Sequence, residues 1–437
     1  MIIAIIAFLV VIAVLILVHE LGHLITAKAS GVRVDEFGLG FPPRLLSIRR
    51  GETRYSLNAI PLGGFVKMAG EEDPKVPRSL ASKGTGTRLL VLSAGSLMNA
   101  LLPLLLFSIA FMVPHNLVTG QVVVEEVALN SPAARAGIEA GDVIVSINDK
   151  PVHNIGDLHR YIHLNLGKEV TLLIKHSDST TEEMRLTPRW KPPEGQNPVG
   201  LTIVRWVAVR EIASDSPADR AGIRPGDLLL SIDGEEVHNA DDLRRYVSLH
   251  LDTDVAVLVQ HADSTTEEVH LTPRQNPPEG QGAIGVAIFM ASGPVTRQHL
   301  PFWSAIPMGA SELIETFVLF KNGIISMIIG AIPVAVAGPV GIFKIATEVA
   351  KLGISPLLEF AAFLSINLAI INILPLPALD GGRIAFVLLE WVRRGKRVSP
   401  KTEGLVHFVG FAMLMSLILV ITYQDIIRII SGESLIP

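Results

Sequence analysis

The stretch His19-Glu20-Leu21-Gly22-His23 follows directly on an unbroken apolar run from Met1 to Val18. On a helix, residues four positions apart lie on the same face, so the two histidines can offer imidazole nitrogens to one metal ion. Glu20 lies about 100° around the helix from His19, where its carboxylate can reach a metal-bound water. Ionisable side chains beside such an apolar run are costly without partners, so the motif predicts a hydrolytic metal site rather than two surface histidines.

The composition indicates a multi-pass membrane protein with soluble parts attached. Of the 437 residues, 49% are hydrophobic and only 18% are charged. The net charge of -5 is mild and no long basic run is present, so no nucleic-acid partner is expected. The chain has no cysteine, and any zinc must therefore be held by histidine and carboxylate.

Four apolar stretches are predicted to span the membrane. The first, residues 1–28, lacks the positive n-region and the cleavage site of a signal peptide and should be retained as a helix. From Lys28 to Arg88 the chain has eleven Lys or Arg against six Asp or Glu, which predicts a cytoplasmic location. The other predicted spans are residues 89–113, 356–374 and 405–422.

The segments between the spans have different characters. Residues 29–88 are rich in glycine and proline with short alternating pieces, and they predict β-hairpins in a cytoplasmic or membrane re-entrant segment. Residues 299–350 predict amphipathic or interfacial helices, because Pro333 and Gly338-Pro339-Val340-Gly341 interrupt their apolar stretch. Residues 375–400 are predicted to be cytoplasmic because of their basic cluster.

An internal repeat occupies the middle of the chain. Ser131-Pro132-Ala133-Ala134 returns as Ser216-Pro217-Ala218-Asp219, and Ser179-Thr180-Thr181-Glu182 returns as Ser264-Thr265-Thr266-Glu267, both at an offset of 85. A spacing that does not slip indicates two copies of one domain. Four histidines that repeat with the domains are predicted to be surface groups, since no acidic pattern accompanies them. They are His153, His176, His238 and His261.

A catalytic zinc needs three protein ligands and one open position. Asp380 is the leading candidate for the third ligand, since it follows the turn signal Pro375-Leu376-Pro377 and precedes two glycines. If residues 356–374 form the only crossing in this region, Asp380 emerges on the same membrane face as the two histidines. The alternative is a helix N-cap for the segment after Gly382.

The His19–His23 motif and the stretch Asn372-Ile373-Leu374-Pro375-Leu376-Pro377-Ala378-Leu379-Asp380-Gly381 together resemble the site-2 protease family of intramembrane zinc metalloproteases. The repeat between the second and third spans makes the chain similar to the RseP branch, although Ser96 stands where the family commonly has proline. The resemblance implies a multi-pass α-helical membrane protein with four transmembrane helices, a membrane-associated β-rich segment and two inserted α+β PDZ-like domains.

The resemblance also implies a reaction and a site. One Zn²⁺ per chain would be held by His19, His23 and Asp380, with Glu20 as the catalytic residue. The substrates would be single-span transmembrane proteins, such as an anti-sigma factor or remnant signal peptides, cut within the bilayer after another protease has trimmed them. Substrate-binding positions are expected at Asn372, Asn99, Gly64 and Phe65. For Asn99, an interhelical hydrogen bond is an equally weighted alternative.

The repeat resembles a tandem pair of PDZ domains, placed at residues 118–203 and 204–290. Its most specific motifs are Gly141-Asp142-Val143-Ile144 and Gly226-Asp227-Leu228-Leu229. The resemblance implies that a C-terminal peptide would bind beside two late strands. The residues implied in that binding are Gly200, Leu201, Gly285 and Val286. The alternative is a pair of spacers or lids that bind no peptide.

The expected location is a bacterial inner membrane, with the active site near the cytoplasmic side and the PDZ-like domains outside the cytoplasm. Two other classes of function remain open at this point. One is a membrane scaffold with a degenerate metal site, and the other is a membrane-bound metalloprotease that cuts soluble or misfolded proteins. Replacing Glu20 by Gln separates the classes, because only a scaffold should keep its function.

Overall fold

A computed structural model describes residues 2–71, 73–118, 120–261, 263, 265–291, 293–333 and 336–431. These residues form two compact units. The first contains the described residues within 1–113, 299–317 and 334–437, and the second contains those within 114–298 and 318–333. In the described part of the chain four helices are long and apolar enough to cross a membrane, and all of them belong to the first unit.

The first unit begins with helix α1 (Ile2–Ala29), which carries the His19–His23 motif in its last three turns. Two antiparallel strands follow, β1 (Val34–Arg50) and β2 (Thr53–Met68), joined by a two-residue turn at Gly51. The sequence suggested several short hairpins, but the structure has one long ribbon. Repeated register shifts absorb the glycine and proline interruptions as bulges.

Helix α2 (Thr85–Met112) packs closely against α1. The approach depends on Gly22 within the metal motif, because a Cβ there would overlap the backbone oxygen of Ala94. Small residues let the backbones of membrane helices approach closely. Close packing is important there, because no hydrophobic driving force acts between helices in lipid. The glycine between the two histidines therefore brings the second helix to the metal motif.

The second unit contains two repeat domains with the same strand order. The elements are β3 (His115–Val118), β4 (Val122–Val127), α3 (Pro132–Ala136), β5 (Val143–Ile147), β6 (Lys150–Pro151), α4 (Ile155–Leu164), β7 (Val170–Lys175), β8 (Thr181–Leu186), β9 (Leu201–Ile203), β10 (Trp206–Ile212), α5 (Pro217–Arg220), β11 (Leu228–Ile232), β12 (Glu235–Glu236), α6 (Ala240–Leu249), β13 (Val255–Gln260), β14 (Thr266–Leu271), β15 (Val286–Ala291) and β16 (Val295–Gln298). The edge-to-edge orders are β8-β7-β5-β4-β9 in the first domain and β14-β13-β11-β10-β15 in the second. Strands β3 and β16 pair with each other, so the chain leaves the insertion beside the place where it enters.

Buried and half-buried side chains alternate in the central strands of both sheets. In β7 and β13 every second side chain is buried, as expected for strands that pack one face on a core. Each domain has its own apolar cluster, which is the physical basis for treating the copies as separate domains. We call residues 122–203 the first repeat domain and residues 206–291 the second repeat domain.

Five helices complete the described part of the chain. They are α7 (Phe302–Ile328), α8 (Pro339–Leu352), α9 (Ile354–Ile373), α10 (Asp380–Val392) and α11 (Pro400–Ser431). The segment predicted to hold interfacial helices contains α7 and α8, and the break between them includes Pro333. Helix α11 is longer at both ends than the predicted span 405–422, because the apolar pattern marks only its middle.

Asp425 on α11 explains the glycines at the start of α8. Its carboxylate is fully buried and accepts a 2.7 Å hydrogen bond from the backbone N–H of Gly341. A Cβ at Gly338 or Gly341 would come within 3.0 Å of the Asp425 oxygens. A carboxylate at the first turn of a helix is stabilised by the free N–H groups there, so Asp425 anchors α8 to α11.

Candidate metal centre

Helix α1 presents His19 and His23 on one face, and their Nε2 atoms lie 3.3 Å apart. Asp380 comes from the start of α10, and its Oδ2 atom lies 3.1 Å from each Nε2. The three ligand atoms thus converge from two places 357 residues apart in the chain. No other group of three potential metal ligands occurs in the parts of the chain that the structure describes.

The turn before α10 positions Asp380. Helix α9 ends at Ile373, the chain becomes extended at Leu374, and Ala378 has a positive φ of 74°. Gly381 permits the turn to fold tightly, because a Cβ there would lie 2.5 Å from the Ile373 carbonyl oxygen. Asp380 is the first residue of α10, and the residue at the N-cap is Leu379. The alternative that Asp380 serves as the N-cap is therefore wrong.

The three ligand atoms fit zinc. Ligands at 2.0–2.1 Å from a tetrahedral zinc lie about 3.3 Å from one another, and the three distances here are 3.1, 3.1 and 3.3 Å. The His23 Nδ1–H donates a 2.8 Å hydrogen bond to the Val91 carbonyl, which leaves Nε2 with the lone pair that a metal needs. The side chains are 13%, 7% and 19% exposed for His19, His23 and Asp380, so water is largely excluded.

Glu20 lies beside this cluster without a fixed partner. It is half-buried, interacts electrostatically with His19, His23 and Asp380, and makes no hydrogen bond or ion pair with the described residues. Strand β2 passes next to it, since a Cβ at Gly64 would lie 3.0 Å from the Glu20 Cγ. A glutamate that is close to the metal ligands but not ion-paired is available for proton transfer.

The other predicted substrate positions lie in different surroundings. Gly64 and Phe65 are on β2, beside α1, as the sequence suggested for the β-rich segment. Asn372 is half-buried near the end of α9 and makes no hydrogen bond with the described residues. Asn99 is only 1% exposed, and its amide faces the imidazole of His19.

The predicted peptide-binding positions lie at the edges of the repeat sheets. Gly200 and Gly285 have positive φ values of 81° and 78° and come directly before the edge strands β9 and β15. Each packs against the serine that caps the short helix of its own domain, Ser131 or Ser216. An edge strand has unpaired backbone groups to which a peptide strand could add.

His153 and His238 are exposed, as predicted, but the expectation that the repeated histidines lack acidic partners is wrong. His176 Nδ1 lies 2.8 Å from Asp142 Oδ1, and His261 Nδ1 lies 3.0 Å from Asp227 Oδ2. The two aspartates belong to the Gly-Asp motifs, and each lies 34 residues before its histidine. The sequence could have revealed the pairs, because both members repeat at the same offset of 85.

Sequence reasoning also missed Gly95 and the carbonyl of Val91. A Cβ at Gly95 would overlap the Nε2 atom of His23 and lie 2.7–2.8 Å from ring atoms of His19. Val91, Gly95 and Asn99 are four residues apart and therefore share one face of α2. That spacing was the available signal, but only the packing of α2 against α1 shows which face matters.

His19 and His23 lie on a helix of membrane-crossing length, and Asp380 follows shortly after another such helix, an arrangement typical of a membrane metalloprotease. The chain belongs to Peptidase family M50, whose model matches residues 7–417. It is 30% identical to Regulator of sigma-W protease RasP of Bacillus subtilis, over 97% of this chain and 98% of that protein. It is also 30% identical to Zinc metalloprotease RasP of Bacillus licheniformis, over 97% and 99%.

Among solved structures, a PDZ domain of the SdrC-like protein of Listeria monocytogenes is similar, with 27% identity and a TM-score of 0.17. The match covers 19% of this chain and 86% of that domain. Family membership confirms the resemblance to the site-2 proteases, the zinc requirement and the assignment as a metalloprotease of regulated intramembrane proteolysis. Membership of a peptidase family, together with the complete set of three candidate ligands, argues against a scaffold with a degenerate metal site.

Proposed function

We propose that His19, His23 and Asp380 hold the catalytic zinc, and that Glu20 moves the proton during hydrolysis of a peptide bond in a single-span substrate. The observation that supports this assignment is the convergence of three ligand atoms at 3.1–3.3 Å beside a glutamate that makes no ion pair with the described residues. Bound zinc supplies Lewis-acid chemistry, which polarises the scissile carbonyl and acidifies water.

The chain's own residues supply the proton transfer. The Glu20 carboxylate takes a proton from the attacking water, and the oxygen of that water forms the new bond to the carbonyl carbon. Glu20 then gives the proton to the leaving amine nitrogen as the C–N bond breaks. A glutamate engaged in a fixed ion pair would do both steps poorly, so its lack of an ion-pair partner among the described residues fits the role.

Substrate binding requires a local loss of helix, because the carbonyls of a transmembrane helix are engaged in hydrogen bonds. Strand β2 lies beside Glu20 at Gly64, where a side chain would press on the Glu20 Cγ and on Ile16. We assign Gly64 and Phe65 to the strand that receives the unwound segment, with Asn372 as an amide contact. Anti-sigma factors and remnant signal peptides are suitable substrates.

The proposed location is the bacterial inner membrane, with the active site near the cytoplasmic face and the repeat domains outside the cytoplasm. The support is the excess of Lys and Arg between Lys28 and Arg88.

In the repeat domains, Gly200-Leu201 and Gly285-Val286 would receive C-terminal peptides or exclude substrates with bulky outer domains. Deleting residues 120–290 should then allow cleavage of untrimmed substrate, and continued rejection of that substrate would contradict the exclusion role.

The test compares purified wild type, Glu20→Gln and the control Glu348→Gln, which alters an exposed glutamate on α8. Each protein receives a model single-span substrate and, separately, an unstructured soluble protein. We expect Glu20→Gln to lose turnover but keep one zinc per chain, while Glu348→Gln behaves as wild type. Turnover by Glu20→Gln would refute its role, and a preference for the soluble protein would refute the substrate class.

A further inference from the structure

One face of α2 lies against both imidazole rings of the metal motif. The carbonyl of Val91 accepts a hydrogen bond from His23 Nδ1, and Gly95 leaves the space that both rings occupy. One turn further along, the Asn99 side-chain amide lies 3.5 Å from His19 Nδ1. In each histidine Nε2 faces Asp380, and Nδ1 lies against a group of α2: the Val91 carbonyl for His23 and the Asn99 amide for His19.

The position of Asn99 is fixed by its surroundings. Asn99 is 1% exposed, and its backbone oxygen accepts a 2.7 Å hydrogen bond from Ser365 Oγ on α9, itself fully buried. The Asn99 Oδ1 atom is buried and has no hydrogen-bond partner among the described residues. The backbone of Asn99 is therefore anchored to α9, and its buried side-chain amide lies against His19.

The chemistry of His19 determines which amide atom it needs. In a neutral imidazole one ring nitrogen carries the hydrogen and the other carries the lone pair. If His19 Nε2 binds zinc, Nδ1 carries the hydrogen and requires an acceptor. The amide nitrogen of Asn99 cannot accept, but oxygen and nitrogen of an amide exchange places on a 180° rotation. The rotated amide places Oδ1 at His19 Nδ1.

We infer that Asn99 is a positioning residue that accepts a hydrogen bond from His19 Nδ1, as the Val91 carbonyl does from His23 Nδ1. The inference rests on the proposed function, in which both histidines hold zinc. It gives Asn99 a different role from the substrate contact that the sequence suggested. Helix α2 then fixes the tautomer and orientation of both metal-binding imidazoles.

The experiment measures the zinc dissociation constant of the purified full-length protein by competition with a chelator. Asn99→Leu removes the acceptor at similar volume, and we expect zinc affinity to fall about 10- to 100-fold. Asn99→Asp keeps an oxygen at the same place, so it should retain the affinity of the wild type. Ser96→Ala is the matched control, because the buried Ser96 hydroxyl has no partner among the described residues.

Wild-type zinc affinity in folded Asn99→Leu would overturn the inference, and a raised KM in that variant would restore the substrate-contact role. Equal losses in Asn99→Leu and Asn99→Asp would also overturn it, since they would show a purely structural effect. If Asn99→Leu does not fold, Asn99→Ala takes its place in the same comparison. Failure of the proposed function is distinguishable, because zinc binding would then be absent from wild type or retained by Asp380→Ala.

Discussion

Histidine lies against aspartate both in the first unit and in each repeat domain, but the aspartates differ in what else they accept. Asp380 directs Oδ2 at two Nε2 atoms, each 3.1 Å away. Asp227 has one histidine partner, His261, and the same oxygen accepts a 2.8 Å hydrogen bond from the backbone N–H of Arg224. In Asp142 the two contacts fall on different oxygens: Oδ2 accepts a hydrogen bond from the Glu139 N–H, and Oδ1 lies against His176.

The difference shows why the same residue pair can offer lone pairs to a metal ion in the first unit and only stabilises the fold in the repeat domains. In the repeat domains hydrogen-bond donors meet the aspartate, so the group is complete without a cation. In the metal centre the Nδ1–H of His23 is used by Val91, and Nε2 therefore turns a lone pair toward the Asp380 oxygen. Lone pairs that converge at 3.1 Å repel each other unless a cation or a proton lies between them.

Removing each aspartate gives the largest expected contrast. Asp380→Ala should lose zinc from the purified protein and lower the cleavage rate on the order of 10³-fold or more, because several kcal/mol of transition-state stabilisation depend on the metal. Asp227→Ala should keep one zinc per chain. Metal analysis and single-span substrate cleavage, scored in the same preparations, measure both. Retained zinc in Asp380→Ala would place the third ligand elsewhere.

The sequence predicted the convergence of the three candidate ligands better than it predicted the groups around them. His19, Glu20 and His23 are local in sequence and sit on one helix, so helical periodicity is enough to bring them together. Asp380 is 357 residues from His23, and it was found because turn signals and membrane topology placed it at the same depth. The four-residue spacing of Val91, Gly95 and Asn99 shows only that they share a helix face, and the Val91 carbonyl is a backbone group, so the partner of His23 was missed.

The β-rich segment and the repeat domains show the same limit. Alternating residues indicated strands, but register is set by pairing and bulges, so several hairpins were expected where β1 and β2 form one ribbon. In the repeat, the offset of 85 predicted two copies, and both sheets have the same strand order. The aspartates that pair with His176 and His261 lie 34 residues earlier in the chain, so each pair forms only when its domain folds.

Gly95 offers a way to damage the metal centre without changing a ligand. In Gly95→Ala the new Cβ would overlap the His23 Nε2 atom, so α1 and α2 must move apart. Misplacing reacting groups by about 1 Å can cost about 10²-fold in rate, and we expect a loss of that size together with weaker zinc binding. Cleavage kinetics and chelator competition measure the two effects.

The matched control for Gly95→Ala is Gly86→Ala on the same helix, where a Cβ would meet open space. That change should leave zinc binding unaltered and stabilise α2 by up to about 1 kcal/mol, since alanine favours helix over glycine. A wild-type rate in Gly95→Ala would mean that the close approach of the two helices is not needed for the site.

In the second repeat domain, removal of the aspartate should affect stability instead of chemistry. Asp227→Ala leaves the Arg224 N–H and the His261 ring without their buried acceptor, which should cost about 1–3 kcal/mol. Asp254→Ala removes an exposed partner of His270 and should cost less than about 1 kcal/mol. Hydrogen exchange of peptides from residues 206–291 measures both. Equal effects would show that burial of the pair contributes nothing.

The smallest expected effect is a pH dependence confined to the repeat domains. The hydrogen bond to Asp227 raises the pKa of His261, and the hydrogen bond to Asp142 raises the pKa of His176. A raised pKa in the folded state means that the protonated ring stabilises the fold. This stabilisation is fully present below the unfolded pKa of about 6.5, and it is lost as the pH rises through the folded pKa.

We therefore expect the protection of residues 122–203 and 206–291 against hydrogen exchange, corrected for the intrinsic rate at each pH, to decrease as the pH rises above about 6.5. His261→Gln should flatten this dependence in the second repeat domain only, and His176→Gln should flatten it in the first only, so each variant is the control for the other. Greater protection at higher pH would reverse the sign and show that the rings are held neutral. Loss of the dependence in both domains from one variant would contradict the independence of the two pairs.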